Sequence, residues 1–213
     1  DSLDSLVSTG RQLTTTPRPE VIPLAPAQQR LWLANRVDPT AATYNLPMGL
    51  RLSGPLDVET LRIAVDDVVG RHETLRTVYP DVDGYGRQSV LAPVSRPLTP
   101  VPVTEDKLTA RVVAAATTPF DVTTQVPLRI ELFRLGDEEH VLVVVVHHIA
   151  ADGFSIAPLT VDVVTAFASR AAGLLPPWTP LEVQYADYAL WHRSLLGDPA
   201  DPESVAARQL AYW

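Results

Sequence analysis

Two adjacent histidines, His147 and His148, are followed by Asp152 and Gly153 in the stretch VLVVVVHHIAADGFS, residues 141–155. An imidazole is the side chain best suited to take or give a proton near neutral pH. The apolar, mostly β-branched run before it has the composition of a strand buried on both faces. Successive strand side chains point to opposite faces, so only one of the two histidines can serve a given cavity. A rigid strand delivering an imidazole, then a tight turn carrying a carboxylate, is a sound way to fix a base. The competing reading is plain: a histidine at a strand end is more often a hydrogen-bonded structural residue. The rest of the chain has to decide.

Several elements must position this stretch. Residues 128–134, LRIELFR, alternate as a strand and should pair with the apolar run through a turn at Gly136–Glu139. Met48–Leu52 reads as another strand, closed by Ser53-Gly54-Pro55. Asp57 should cap a helix whose Leu61, Val65, Val68 and Val69 face the core. Pro26 suits the first turn of a helix holding Leu31, Trp32 and Leu33, which ends before Asp38-Pro39. Val78–Val82 and Gln88–Leu91 read as a hairpin around Asp83-Gly84-Tyr85-Gly86. Thr104 should cap a helix with Leu108, Val112 and Val113 on its apolar face. Ser155 should cap another that runs to about Ala171. A last helix spans about Pro202–Trp213, and Tyr188 and Trp191 read as core packing one helical turn apart. Residues 1–20 are poor in apolar periodicity and broken by Pro17 and Pro19, which suits a linker or the tail of a preceding domain.

Bulk properties exclude several functions. A net charge of −8 argues against nucleic acid as the main partner. With no cysteine, disulfides, thiolate metal sites and thiol redox chemistry are ruled out. The five histidines form no His-Glu-x-x-His zinc pattern. No apolar run reaches the length of a spanning helix and no signal peptide is visible, so a soluble cytoplasmic protein without membrane contact is the expectation.

The pattern His147-His148-x-x-x-Asp152-Gly153 resembles the signature of nonribosomal peptide synthetase condensation domains, relatives of chloramphenicol acetyltransferase. Companion segments strengthen the resemblance. Pro23-Leu24-Ala25-Pro26-Ala27-Gln28-Gln29-Arg30-Leu31-Trp32 is similar to the family's opening, with Ala25 where Ser is usual. Arg71-His72-Glu73, Leu75, Arg76 and Thr77 match a second motif; Pro119-Phe120-Asp121 with Pro127-Leu128-Arg129, and Tyr185 to Trp191, match others. Phe154 stands where Trp is commoner.

The resemblance implies an α+β fold (α/β sandwich): a chloramphenicol acetyltransferase-like lobe with a mixed β-sheet and helices packed on it. It covers residues 21–213 and only motifs of the first of two lobes, so the C-terminal lobe is expected to be absent. It implies amide-bond formation between a donor aminoacyl or peptidyl thioester and an acceptor aminoacyl amine. No cofactor would bind directly; substrates arrive on the 4'-phosphopantetheine arms of donor and acceptor peptidyl carrier proteins. Other partners would be the missing lobe and neighbouring synthetase domains. His148 is the candidate catalytic residue, as base or as a group that orients the amine. His147 would brace the loop, and Gly153 would permit close backbone approach or an unusual dihedral. Asp152, if buried, needs a partner: Arg71 by preference, Arg76 second. An epimerization domain, a stand-alone acyltransferase and a non-catalytic carrier-docking lobe are the alternatives. Cyclization domains carry aspartate-type patterns in place of the histidine pair, which argues against that relative.

Overall fold

The structure, a computed structural model, describes residues 12–212; the start of the expected N-terminal tail and Trp213 lie outside the described residues. In chain order the elements are β1 (Ile22–Pro23), α1 (Pro26–Val37), β2 (Asn45–Ser53), α2 (Val58–Arg71), β3 (Thr77–Val78), β4 (Asp81–Val82), β5 (Tyr85–Val90), β6 (Val101–Pro102), α3 (Glu105–Thr117), β7 (Leu128–Arg134), β8 (Glu139–His147), α4 (Ile156–Ala171), α5 (Tyr185–Leu196) and α6 (Val205–Tyr212). Short 3₁₀ turns occupy Glu73–Arg76 and Gly153–Ser155.

The main sheet has the order β2-β8-β7-β6. β8 lies antiparallel to both β2 and β7, while β6 adds in parallel to β7, so the sheet is mixed. β8 and β7 are the inner strands, and both faces of β8 are covered. Val141, Val143 and Val145 pack with Trp32, Phe120 and Phe133 on one side. Val144 and Val146 pack with Val65, Val68 and Ala166 of α2 and α4 on the other. Burial on both faces is why this strand is a continuous apolar run rather than an alternating one. A second, smaller sheet has the order β1-β5-β3, with β4 on β5. Its hairpin turns at Asp83 and Gly84, both at positive φ (54° and 83°), the type I′ geometry that suits a two-residue loop. Gly86 is there for close approach: a Cβ would stand 2.6 Å from Leu24 Cδ1 and 2.8 Å from the Trp32 ring.

The helix ends differ in part from expectation. Asp57 caps α2 through the Glu59 and Thr60 N–H groups. Ala25 has no side-chain oxygen, and its own N–H donates instead to Gln28 Oε1 at 3.0 Å. Thr104 makes no side-chain cap on α3; its carbonyl accepts from Lys107 and Leu108. Val113 is exposed, because α3 presents Leu108, Val112 and Ala115 to the sheet. The final helix starts at Val205, three residues later than its pattern suggests.

The segment expected to be linker is tied down at Arg18. Its Nε donates to Asp187 Oδ1 at 2.8 Å, and a terminal nitrogen donates to Glu73 Oε2 at 2.8 Å. Asp187 is only 3% exposed. The hydrogen bond from Arg18 outweighs burial and holds this carboxyl below its ordinary range. Asp187 also accepts the Gln184 N–H at the start of α5, so one arginine joins the N-terminal segment, the Glu73–Arg76 turn and α5. Arg18→Ala leaves a buried carboxylate short of its main partner and is expected to cost about 1.5–3 kcal/mol. Urea unfolding measures this, and an unchanged midpoint would mean the clamp is ornamental.

Candidate active site

β8 pairs with β2 in the register Asn45↔His147, and the His148 N–H then donates to the Tyr44 carbonyl at 2.7 Å, one rung further. The pleat therefore reaches both histidines and sends them to opposite faces. His147 goes inward and is 2% exposed. Its ring lies edge-on to Phe120 (centroids 6.1 Å) and tilted to Tyr44 (6.2 Å). Its Nδ1 accepts the Ile149 N–H at 3.1 Å, which requires that nitrogen to be unprotonated. Burial, with a smaller contribution from His148, pushes the His147 pKa down to about 4. This ring is a neutral bracket at the strand-to-turn junction.

His148 is exposed. Its ring is engaged in no hydrogen bond among the described residues, so its nitrogens are available to a substrate. The turn that follows is closed by Asp152. Asp152 Oδ1 accepts the Ser155 N–H at 3.0 Å and the Ser155 hydroxyl at 2.7 Å, while the Asp152 N–H donates to Ser155 Oγ at 3.0 Å. The Ser155 hydroxyl bond is the main reason the Asp152 carboxyl sits below its ordinary range; the Phe154 N–H and the charge of His148 act in the same direction. Beside the turn lies a recess of about 380 Å³ lined by Asp152, Ser155, His72, Leu159, Gln184 and Tyr185 among others. Phe154, 91% exposed, stands on its rim.

Three sequence expectations are corrected. Asp152 is paired with neither arginine. It is exposed, so it lacks the burial that would demand a cation, and the adjacent Ser155 satisfies it. Ser155 in turn is not a free cap for α4, because its hydroxyl is held by Asp152. Gly153 has no positive φ, and a Cβ added there would meet nothing within 4 Å; neither reason given for a glycine applies within this lobe.

Arg71 faces α4: Nε lies 3.2 Å from Asp162 Oδ2, a terminal nitrogen donates to the Thr179 carbonyl at 2.8 Å, and the guanidinium sits 4.9 Å from the Trp178 ring centre. His72 Nε2 is 2.6 Å from the same Asp162 oxygen. Arg76 donates to the Leu91 carbonyl and lies 3.8 Å from Glu73. Both arginines brace the scaffold around the recess. The expected effect of Asp152→Ala is therefore that of losing an exposed cap, about 1 kcal/mol, or a melting point lower by roughly 2–4 °C. A fall several times larger would restore the buried-pair reading.

Two further positioning groups emerge from the structure. Tyr44 holds the His148 N–H and leans on His147. Arg129 donates to the Ala115, Thr118 and Pro119 carbonyls at the end of α3 and lies 4.3 Å from the Phe120 ring centre, fixing the ring that packs on His147. Arg129 belongs to the Pro127-Leu128-Arg129 motif, but the roles of both residues depend on contacts distant in sequence.

The condensation-domain sequence family matches residues 19–213. This chain belongs to that family. Among curated relatives, this condensation-domain lobe is 52% identical over 201 residues to a probable non-canonical nonribosomal peptide synthetase, CymA, of Salinispora arenicola, covering 94% of the chain and 2% of the relative. It is 51% identical over 210 residues to the isonitrile lipopeptide synthase of Mycobacterium tuberculosis, covering 95% and 8%. Among solved structures, the X-domain from teicoplanin biosynthesis, in complex with OxyB, superposes with a TM-score of 0.89 at 40% identity, covering 95% of this chain and 44% of that one. The chain thus spans under half of that solved domain and a small part of the synthetases. The mixed, helix-covered sheet is the expected condensation-domain lobe. Among the described residues no helix is long and apolar enough to cross a membrane.

Proposed function

We propose that this chain is the N-terminal half of a condensation domain that joins a thioester-bound acyl donor to the amine of a second, thioester-bound amino acid. The observation that carries this reading is the division of labour between the histidines: one sealed and neutral, the next exposed and uncommitted at the end of a rigid strand. As the amine nitrogen attacks the thioester carbonyl, a C–N bond forms and the nitrogen must shed a proton. The free imidazole of His148 accepts that proton, the C–S bond breaks, and the proton leaves with the departing thiol. Holding amine and imidazole in register also lowers the entropic part of the barrier. Both thioesters would arrive on the phosphopantetheine arms of carrier proteins, and tunnel walls supplied by a second lobe would complete the site.

The test is a peptide-bond assay with two loaded carrier proteins. The expected result is product from the full-length domain and none from this chain by itself. A second reading is a non-catalytic docking platform, favoured by the 40% identity to the X-domain that forms a complex with OxyB. A full-length domain that binds both loaded carriers but never forms the amide would establish that reading instead.

A further inference from the structure

Between the main sheet and helices α2 and α4 lies a cavity of about 340 Å³. Its walls include Val68 of α2, Leu142, Val144 and Val146 of β8, and Leu159 and Val163 of α4. Among the described residues Thr160 is the one with a polar side chain in the lining, and its hydroxyl donates to the Ile156 carbonyl at 2.9 Å. The space is partly open to solvent, and an apolar lining of this extent left unfilled forfeits packing contacts that an apolar guest would restore. A space with no free polar partner does not hold ordered water well and favours an apolar guest. The volume lies within the range of small-molecule sites.

Its position links it to the motif. Leu142, Val144 and Val146 form one row of alternate side chains along β8, and the register that continues through Tyr44 puts His148 next in that row. One two-residue step, about 7 Å, separates Val146 from His148. Leu75 and Leu159 line both this cavity and the recess beside Asp152, so the two spaces adjoin at the motif turn.

We propose that this cavity holds the aliphatic chain of a substrate whose reacting end stands at His148. The assignment rests on the reading of His148 as the reacting end of the site. The chain lies along the Leu142–Val144–Val146 row, while its carbonyl or amine remains at the strand end. Substrate choice would then be set partly by how much hydrocarbon this lobe can bury.

The experiment uses the full-length condensation domain and calorimetric Kd values for two series of pantetheine thioesters. One carries straight-chain acyl groups from acetyl to decanoyl; the other carries α-amino acids with side chains lengthened over the same range. One series is expected to tighten about fourfold per added methylene, then level off once the cavity is full. Whichever series rises tells whether the chain arrives on the donor or on the acceptor. Val144→Phe, with its melting point checked, is expected to bring the ratio of long-chain to short-chain affinity to within about twofold of one. Should that variant not fold, Val163→Phe fills the cavity from the helix side. Flat affinities in both series, or a rise that survives the filled cavity, would overturn the proposal. His148→Ala separates this from the catalytic reading: it should lower turnover by about 10²–10⁴-fold and keep the chain-length rise. Retained turnover with the rise intact would defeat the role of His148 and leave standing only the binding of the aliphatic chain in the cavity.

Discussion

His148→Ala in the full-length domain is expected to lower amide formation by about 10²–10⁴-fold, the usual worth of a positioned acid or base. The loss should fall on the chemical step. The ring is exposed and hydrogen-bonded to none of the described residues, so removing it disturbs little of the fold, and the melting point should move by no more than about 1 °C. The two candidate roles differ in their pH signature. A base produces a rate that rises with pH and a rising limb that vanishes in the alanine variant; a group that only orients the amine leaves the limb in place. Full turnover by His148→Ala with both carriers loaded would remove this residue from the mechanism.

The neighbouring histidine should reveal itself through stability. Burial depresses its pKa from 6.5 to about 4. Above pH 6.5 the ring is neutral in both folded and unfolded chains and the stability is at its plateau. Between pH 6.5 and about 4 the unfolded chain takes up the proton and the folded one does not, so stability falls as pH falls. The full difference is about 3 kcal/mol, reached near pH 4. His147→Asn keeps an acceptor for the Ile149 N–H and removes the titration. Urea unfolding of the two proteins from pH 7.5 to pH 4 should therefore give stabilities that converge, or cross, as pH drops. His192, also depressed by burial, titrates alike in both and cancels. Parallel pH profiles would show that the His147 ring is solvated after all.

How much of the site could be read from the chain varies with the range of the interaction. The opposite faces of the histidine pair follow from the strand period, and the pairing with Leu128–Arg134 follows from a short turn. The Asp57 cap is equally local. The partner of Asp152 is not legible in the chain because it turns on whether the carboxylate is buried, and burial is not a local property. Once the turn is exposed, a serine three residues away satisfies the carboxylate more cheaply than an arginine eighty-one positions back, and Arg71 is left to meet Asp162 across the α2–α4 packing. Arg18 illustrates the same point from the other side. It sits in a stretch without periodicity, yet its two carboxylate partners converge on it only after α5 docks.

The apolar strand, the alternation that parts the histidines and the family are all legible in the chain, because they depend on residue type and near-neighbour spacing; which of the two rings is buried is not. Tertiary structure alone decided which charges pair, why Tyr44 and Arg129 matter, and that an apolar cavity runs from beside the motif turn. Those outcomes depend on which distant surfaces are pressed together and on what their packing leaves unfilled, and no local pattern encodes either.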